Sequence, residues 1–487
     1  MTHLAIDLGA ESGRIFVGSV QGDVLQVREV HRFSNQPVTY RTSTHWDVLR
    51  IWSEIRKALA SPELPRIASI GVDAWGVDYA LIGETGELLQ NPHHYRDPRN
   101  VSAMGEVLRL IPKEEIYAET GVQFMPINTL NQLFAAQRDT PELLAAAHRM
   151  VMIPDLFHYW LTGNVCCEYT AASTTQLVNP TTRAWSIPLW ERLGLPLRLP
   201  ARIVEPGSIV GDVLPELLES RSNGACVIAP ASHDTASAVA AVSTNGTTAF
   251  LSSGTWSLVG IERDAPMITP EALRLNFTNE GGAAGTTRLL KNVMGLWMLQ
   301  CCRKIWKSQS RNFTYGELME AASHAPAFRH LVDPDDTLFL NPSSMVAAVD
   351  RFCIKTDQTT PASPGQYARG ILESLALKYR LVIRNLESLI GQPIERIRVI
   401  GGGSKNSLLN QFTADATGKQ VLAGPFEAAV LGNIGVQMVT TGEVGSLREL
   451  RALIDRSFQV EVYEPGDTET WNTEAERFQQ YCEFSYA

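Results

Sequence analysis

Apolar and polar positions alternate along this chain in one shape that occurs twice. Leu4, Ile6 and Leu8 lead into the turn Gly9-Ala-Glu-Ser-Gly-Arg14, and Ile15, Val17 and Val20 lead out of it. Period-two alternation on both sides of a Gly/Ser turn predicts strand, tight turn, strand. The same shape returns over 247–261, with Ala249 and Leu251 before Ser252-Ser-Gly-Thr255 and Leu258 and Val259 after it. Two copies of one supersecondary shape point to an internal duplication.

The remaining pattern predicts an α/β chain. An apolar run at 67–72 reads as a strand and ends in Asp73-Ala-Trp-Gly-Val-Asp78. Residues 102–148 read as largely helical, with breaks at Pro112 and Pro126, and 366–390 as one long amphipathic helix. The proline-rich stretch 180–223 reads as irregular. Residues 225–230 form a short apolar strand, followed by Ser232-His-Asp-Thr235 and a small-residue helix over 236–242 with Ser232 as its N-cap. A strand at 397–400 meets Gly401-Gly-Gly-Ser404 and then a helix over 408–417, a strand–glycine–helix unit typical of α/β folds. Residues 478–487 carry no clear pattern.

Length changes this picture in one respect. A chain of 487 residues exceeds what one core supports, so two domains are expected, 1–245 and 246–487, with the boundary near Gly246. The last helix is expected to pack back on the first domain. Charge removes some partners. A net charge of −10 with no basic run is a poor match to nucleic acid or an anionic membrane surface. It leaves phosphate ligands open, because a few backbone N–H groups bind those locally. The N-terminus has no basic start or long apolar stretch, and no window reaches the roughly 18 apolar residues of a membrane span. Seven cysteines with no C-x-x-C spacing read as reduced thiols, and the doublet His93-His94 as packing or surface, which together predict a cytoplasmic protein. Monomer and homodimer are both compatible with the sequence.

Several segments can carry chemistry, and each also has a plain structural reading. In the first turn, Gly9 and Gly13 let the backbone bend and approach a ligand, Ser12 and Arg14 supply donors for phosphate, and Asp7 at the strand's end can hold Mg²⁺ directly or through water. The same residues also make an ordinary polar hairpin. Ser252 to Thr255 offers hydroxyls and backbone donors, or a surface turn. The triglycine can let a flat ring such as adenine lie on the backbone, or serve as a joint. Asp234, after a buried strand and at a helix start, can accept a proton from a hydroxyl attacking a γ-phosphate, or simply cap the helix. Trp75, Gly76 and Asp78 suit a polyol, or a core tryptophan at a strand end. Asn292 can donate to a sugar hydroxyl, and Gln300, read as lying on the same helical stretch, can face a nucleotide. There is no Walker motif G-x-x-x-x-G-K-[ST].

In this order the segments resemble the FGGY family of carbohydrate kinases, and within it the members that phosphorylate L-rhamnulose. Asp7-Leu-Gly-Ala-Glu-Ser-Gly-Arg14 and Leu251-Ser-Ser-Gly-Thr-Trp-Ser-Leu258 are similar to its two phosphate loops, and Val399-Ile-Gly-Gly-Gly-Ser-Lys-Asn406 to its adenosine motif. Trp75-Gly-Val-Asp78, Ser232-His-Asp-Thr-Ala-Ser-Ala238, Asn279-Glu-Gly-Gly282, Lys291-Asn-Val-Met-Gly-Leu-Trp297 and Leu408-Leu-Asn-Gln411 carry the finer likeness. The resemblance implies two ribonuclease-H-like domains of the actin/hexokinase ATPase type flanking a catalytic cleft, with ATP and Mg²⁺. It implies transfer of the γ-phosphate to O1 of L-rhamnulose in L-rhamnose breakdown, with Asp234 as proton acceptor. It places Gly76, His233, Asp234, Thr235 and Asn292 on the sugar, and Ala10, Glu11, Ser12, Gly13, Arg14, Thr255, Gln300 and Gly402 on the nucleotide. The alternatives are another ketose, L-fuculose or a xylulose, or an ATP-driven conformational protein without sugar chemistry. The chain departs from the family's pattern at Ala74, where Thr is expected, and at Glu11, where a small hydroxyl residue is usual. Cysteine pairs known in some relatives do not carry over, since Thr413 and Thr417 stand at those positions.

Overall fold

The computed structural model describes residues 1–218, 224–243 and 247–486. The boundary expected near Gly246 lies outside them. The chain divides into two compact units. The first comprises Met1–Ser243, Glu262–Leu290 and Ala428–Phe458, and the second Thr244–Ile261, Lys291–Glu427 and Gln459–Ala487.

The first unit is built on a six-stranded sheet in the order Ile209–Asp212, Cys226–Ile228, Ser69–Ala74, His3–Leu8, Ser12–Gln21, Val24–Ser34. The strands Cys226–Ile228, Ser69–Ala74 and His3–Leu8 run parallel, and the opening hairpin turns the sheet antiparallel. Every residue of His3–Leu8 and Ser69–Ala74 is buried, as expected of strands covered on both faces. The helix Ala428–Thr440 covers one face and is tied to the strands by side-chain amides. Gln437 Nε2 donates to the carbonyl of Leu4 at 3.1 Å, and Asn433 Nδ2 to that of Gly71 at 3.2 Å. These bonds bind a late segment of the chain to its first strand and to Ser69–Ala74.

In the second unit, Thr248–Ser253 pairs antiparallel with Trp256–Arg263, Phe250 opposite Gly260, and parallel with Arg396–Ile400, Leu251 opposite Val399. The sheet continues in parallel to Gln420–Ala423 and then antiparallel to Glu461–Tyr463. A hairpin whose first strand is also flanked by a parallel strand thus occurs in both units. The helix Pro364–Ile390 runs beneath, started by Ser363, whose hydroxyl accepts from Gln366 N, and stopped by left-handed Gly391.

Three local expectations change. Residues 180–223 are not wholly irregular, since the apolar Leu189 and Trp190 bury one face of the short helix Ile187–Arg192. The C-terminus is ordered as the helix Thr468–Tyr486, because buried Trp471 packs edge-on against Phe328 at 4.8 Å and tilted against Phe412 at 5.3 Å. This last helix belongs to the second unit, whereas Ala428–Phe458 belongs to the first. The stretch 102–148 forms Arg99–Leu110, Lys113–Thr120, Thr129–Asp139 and Pro141–Ala146, interrupted around both prolines. No helix among the described residues is long and apolar enough to cross a membrane. His94 stacks on Trp46 at 4.3 Å, and no group of three or more His, Cys, Asp or Glu among the described residues is gathered to hold a metal.

Candidate active site

Asp7 and Arg14 close the first turn as cross-strand partners and form an ion pair. The turn between them is held by Gly9 N donating to Ser12 O at 3.0 Å. From outside, Asn35 straps it by donating Nδ2 to Gly9 O at 2.9 Å and its own N–H to Glu11 O at 2.8 Å. Ala10, Glu11 and Ser12 are partly exposed. Gly13 answers to space rather than to a left-handed bend: a Cβ there would lie 2.1 Å from the Phe33 ring.

The parallel register sets Asp7 beside Asp73. Asp73 is fully buried and accepts from Asn433 Nδ2 at 2.5 Å through Oδ2, while Oδ1 has no hydrogen-bond partner among the described residues. Burial, then the Asp7 carboxylate, pushes Asp73 well above the ordinary carboxylate range. The sequence reading passed over Asp73, although it ends an apolar strand as Asp7 does. A buried, unpartnered carboxylate oxygen next to Asp7 is chemically suited to a hard cation, which takes oxygen ligands and keeps several waters, so one or two carboxylates suffice.

The turn at 232–235 is clamped from behind. Glu168 is fully buried and caps the short helix Tyr169–Ala172. It accepts from Thr170 N at 2.9 Å, Ala171 N at 3.1 Å, Thr170 Oγ1 at 2.6 Å and Ser232 N at 3.0 Å. Thr170 Oγ1 in turn accepts from His233 N at 3.0 Å, and Ser232 O accepts from Ala74 N at 2.9 Å. Burial raises Glu168 to about 8. Ser232 is not the N-cap: it stands one residue before the cap position, and its hydroxyl donates to Pro230 O at 3.4 Å. The helix begins at Asp234, two residues before the expected start, behind an extended His233 with no side-chain cap bond.

Asp234 therefore occupies the first helical position, where the helix field favours a carboxylate. Its Oδ1 accepts from Thr235 N at 2.5 Å and Thr235 Oγ1 at 3.1 Å, and 30% of its side chain stays open to solvent. Burial of its remaining surface, then Asp7, pushes it up to about 7. A carboxylate poised near neutrality and still accessible can take a proton from an incoming hydroxyl. His233 is buried and accepts from Arg288 Nη2 at 3.0 Å; burial, then that guanidinium, holds it well below the usual histidine value. Arg288 is fully buried against Glu280 at 3.2 Å. Glu168, Glu280 and Arg288 escaped the residue-by-residue reading; only the Asn279-Glu-Gly-Gly282 motif hinted at one of them.

Trp75 is buried, and Gly76, two residues beyond the strand Ser69–Ala74, is partly exposed. Asp78 has no exposed surface and spends both oxygens on protein donors. Oδ2 accepts from Trp46 Nε1 at 2.5 Å, Trp75 Nε1 at 3.0 Å and Tyr95 N at 3.3 Å, and Oδ1 from Gln132 Nε2 at 2.9 Å. The polyol-facing Asp78 of the sequence reading is in the structure the anchor of two indole rings.

In the second unit, the turn carrying Thr255 docks on the start of the helix Trp297–Ser308. Gly295 N donates to Thr255 O at 3.1 Å and Leu296 N to Gly254 O at 2.9 Å. That helix bears Gln300, whose buried Oε1 has no hydrogen-bond partner among the described residues. Asn292 is not on that helix but on the strand Thr287–Met294, which is buried along nearly its whole length and ends just before Gly295. The triglycine packs on the second turn. A Cβ on Gly403 would lie 2.0 Å from Ser253 Oγ, whereas one on Gly402 would meet nothing within 4 Å. Gly402 is thus an exposed glycine with open space above it. Asn406 then caps the helix Ser407–Thr417 by accepting from Leu409 N at 3.0 Å, and donates Nδ2 to Tyr315 OH at 3.1 Å.

The profile of the FGGY family of carbohydrate kinases, N-terminal domain, matches residues 2–241, and that of its C-terminal domain residues 249–441. The rhamnulokinase of Bacteroides thetaiotaomicron is 44% identical over 472 residues, spanning 96% of each chain. That of Oceanobacillus iheyensis is 41% identical over 465 residues, 95% of this chain and 98% of the other. Among solved structures, the ligand-bound xylulose kinase of Lactobacillus acidophilus shares the fold with a TM-score of 0.80 at 17% identity, covering 99% of this chain and 97% of that one. Plasmodium falciparum glycerol kinase with ADP gives 0.76 at 15% identity, covering 100% and 98%. With both family profiles matched in order and the relatives alike over nearly their whole length, the chain belongs to the FGGY family of carbohydrate kinases.

Proposed function

We propose that the chain transfers the γ-phosphate of ATP to O1 of L-rhamnulose, giving L-rhamnulose 1-phosphate and ADP in L-rhamnose breakdown, with Asp234 as the base. The observation that carries the reading is Asp234 itself: a partly open carboxylate at a helix start, raised to about 7, beside a buried histidine. The near-full-length likeness to rhamnulokinases supports the choice of ketose.

On this reading the first unit supplies the acceptor site. Trp75, Gly76, His233 and Thr235 orient the ketose, and Asp234 accepts the O1 proton as the oxygen attacks phosphorus. The leaving group is ADP. In the second unit Thr255, Gln300 and Gly402 bind the nucleotide, the open surface at Gly402 suiting a flat base; in the first unit Ala10, Glu11, Ser12, Gly13 and Arg14 bind phosphate. Mg²⁺ would be held by Asp7, with Asp73 alongside, and supplies charge neutralisation for the transferring phosphoryl group when bound. Phosphoryl transfer depends on positioning and electrostatics, so one base of this strength is sufficient. The need for ATP and the free cysteines among the described residues suit a cytoplasmic enzyme.

A coupled assay for ADP with Mg-ATP and purified ketoses tests the proposal. L-Rhamnulose should give the highest kcat/KM. Faster turnover of L-fuculose or a xylulose would replace the substrate but keep the kinase. ATP turnover that no sugar stimulates, and that Asp234→Asn leaves unchanged, would favour a conformational ATPase instead.

A further inference from the structure

We infer that Arg288, held by Glu280, is a positioning residue of the acceptor site that fixes His233 as the neutral tautomer carrying its proton on Nε2. What that proton does rests on the kinase reading above; where it sits rests on geometry alone.

A guanidinium has only donors. Arg288 Nη2 lies 3.0 Å from His233 Nδ1, so Nδ1 must present its lone pair, and the single proton of a neutral imidazole is then on Nε2. The other partner within reach of Nδ1 is Glu280 Oε2, at 3.5 Å. That oxygen is closer to Arg288 Nη2, at 3.2 Å, and its charge balances the guanidinium. The arginine cannot turn away. It has no exposed surface, and its Nε donates to Gly281 O at 2.8 Å. The histidine main chain is equally fixed through Thr170 Oγ1. Burial lowers the Arg288 pKa from its ordinary value, and the carboxylates of Glu280, Asp234, Glu168 and Glu262 act against that shift.

The consequence falls on Nε2, which lies 3.5 Å from Asp234 Oδ1. A histidine beside an aspartate is commonly a second proton acceptor, but here the accepting nitrogen is already occupied by Arg288. His233 can only donate on the side that faces Asp234. The two side chains therefore divide the work on a ketose oxygen: Nε2–H donates to a lone pair and orients it, and Asp234 alone takes the hydroxyl proton.

The test is a two-bond ¹H–¹⁵N spectrum of the full chain labelled at histidine, with His233 assigned from His233→Gln. The Nε2–H pattern is expected in the wild type. In Arg288→Met, Nδ1 is free to donate to Glu280, so the pattern should change to Nδ1–H. The KM for the ketose should then rise about tenfold or more, as for loss of a charged hydrogen-bond partner, with the KM for ATP held within about twofold. Arg288→Lys, which restores a donor, should recover part of both effects. An Nδ1–H pattern in the wild type would overturn the inference, as would an Arg288→Met enzyme with unchanged tautomer and ketose KM. Should Arg288→Met fail to fold, the wild-type spectrum and the lysine variant still decide. A wild type with Nε2–H but no ketose phosphorylation would retire the kinase reading and leave the tautomer standing.

Discussion

Asp7 and Arg14 face each other across the first hairpin and form an ion pair. The cation proposed for phosphate thus neutralises the anion proposed for Mg²⁺, and one turn holds both charges ready without leaving either unbalanced. Mg-ATP would exchange this pairing for two new ones. Arg14→Gln should raise the KM for ATP about tenfold or more by removing a charge-assisted donor, and leave the ketose KM nearly unchanged. Initial-rate kinetics with each substrate varied in turn separate the two effects.

Asp234 should govern the acid side of the pH profile. Its carboxyl is raised to about 7, mainly by burial and then by Asp7, and only the deprotonated form accepts a proton. The kcat/KM for the ketose should therefore fall as pH drops below about 7 and level off above it, since this ratio reports the free enzyme. Asp234→Asn should lower kcat by about a hundredfold to ten-thousandfold, the usual scale for a lost general base, while ATP still binds by calorimetry.

Two neighbouring glycines make opposite predictions. Gly402→Ala meets no protein atom, so thermal stability should not move, and a raised KM for ATP would locate the nucleotide over that backbone. Gly403→Ala drives a methyl group into Ser253, so it should destabilise the fold by about 1–3 kcal/mol through overpacking and disturb the second turn. If both variants keep the wild-type melting temperature and ATP KM, the triglycine has neither role.

Asp78 should behave as a structural anchor. Asp78→Leu strands two buried indole N–H groups and should cost about 2–6 kcal/mol at about 1–3 kcal/mol each, by denaturant unfolding. Burial raises this carboxyl from 3.8 to about 7, so between those values the folded chain holds a proton that the unfolded chain has released. Its contribution to stability therefore declines as pH rises through that window, and the variant should lack this part of the slope. A variant of unchanged stability with only a raised ketose KM would make Asp78 a ligand instead.

Much of the site was legible in the amino-acid sequence because its parts are local. Period-two alternation around Gly/Ser turns marks both hairpins, and the strand–triglycine–helix unit and the Asp234 helix start are each contained in a few consecutive residues. Their order along the chain was enough to indicate the family. Two local readings still went astray by a short distance. Ser232 looks like an N-cap, but the helix starts at Asp234 and Ser232 lies one residue before the cap, its N–H held by Glu168, 64 residues away in sequence. Asn292 looks helical beside Gln300, but the strand runs through Met294.

What only the tertiary structure decided is the partner of each charge. Burial makes an unpaired polar group costly, so partners are drawn from wherever the fold brings donors, and that distance is not written in any local pattern. Asp78 ends a motif that suits a sugar, but Trp46, Trp75 and Gln132 occupy its oxygens. Asp73 gained its meaning from a strand register with Asp7 and an amide on Asn433. His233 and Asp234 are adjacent in sequence, but the proton on one depends on Arg288 and Glu280, and the raised pKa of the other on burial and then on Asp7. The hydrophobic pattern and turn residues determined where the turns lie; long-range pairing of buried polar groups determined what each side chain in them is free to do.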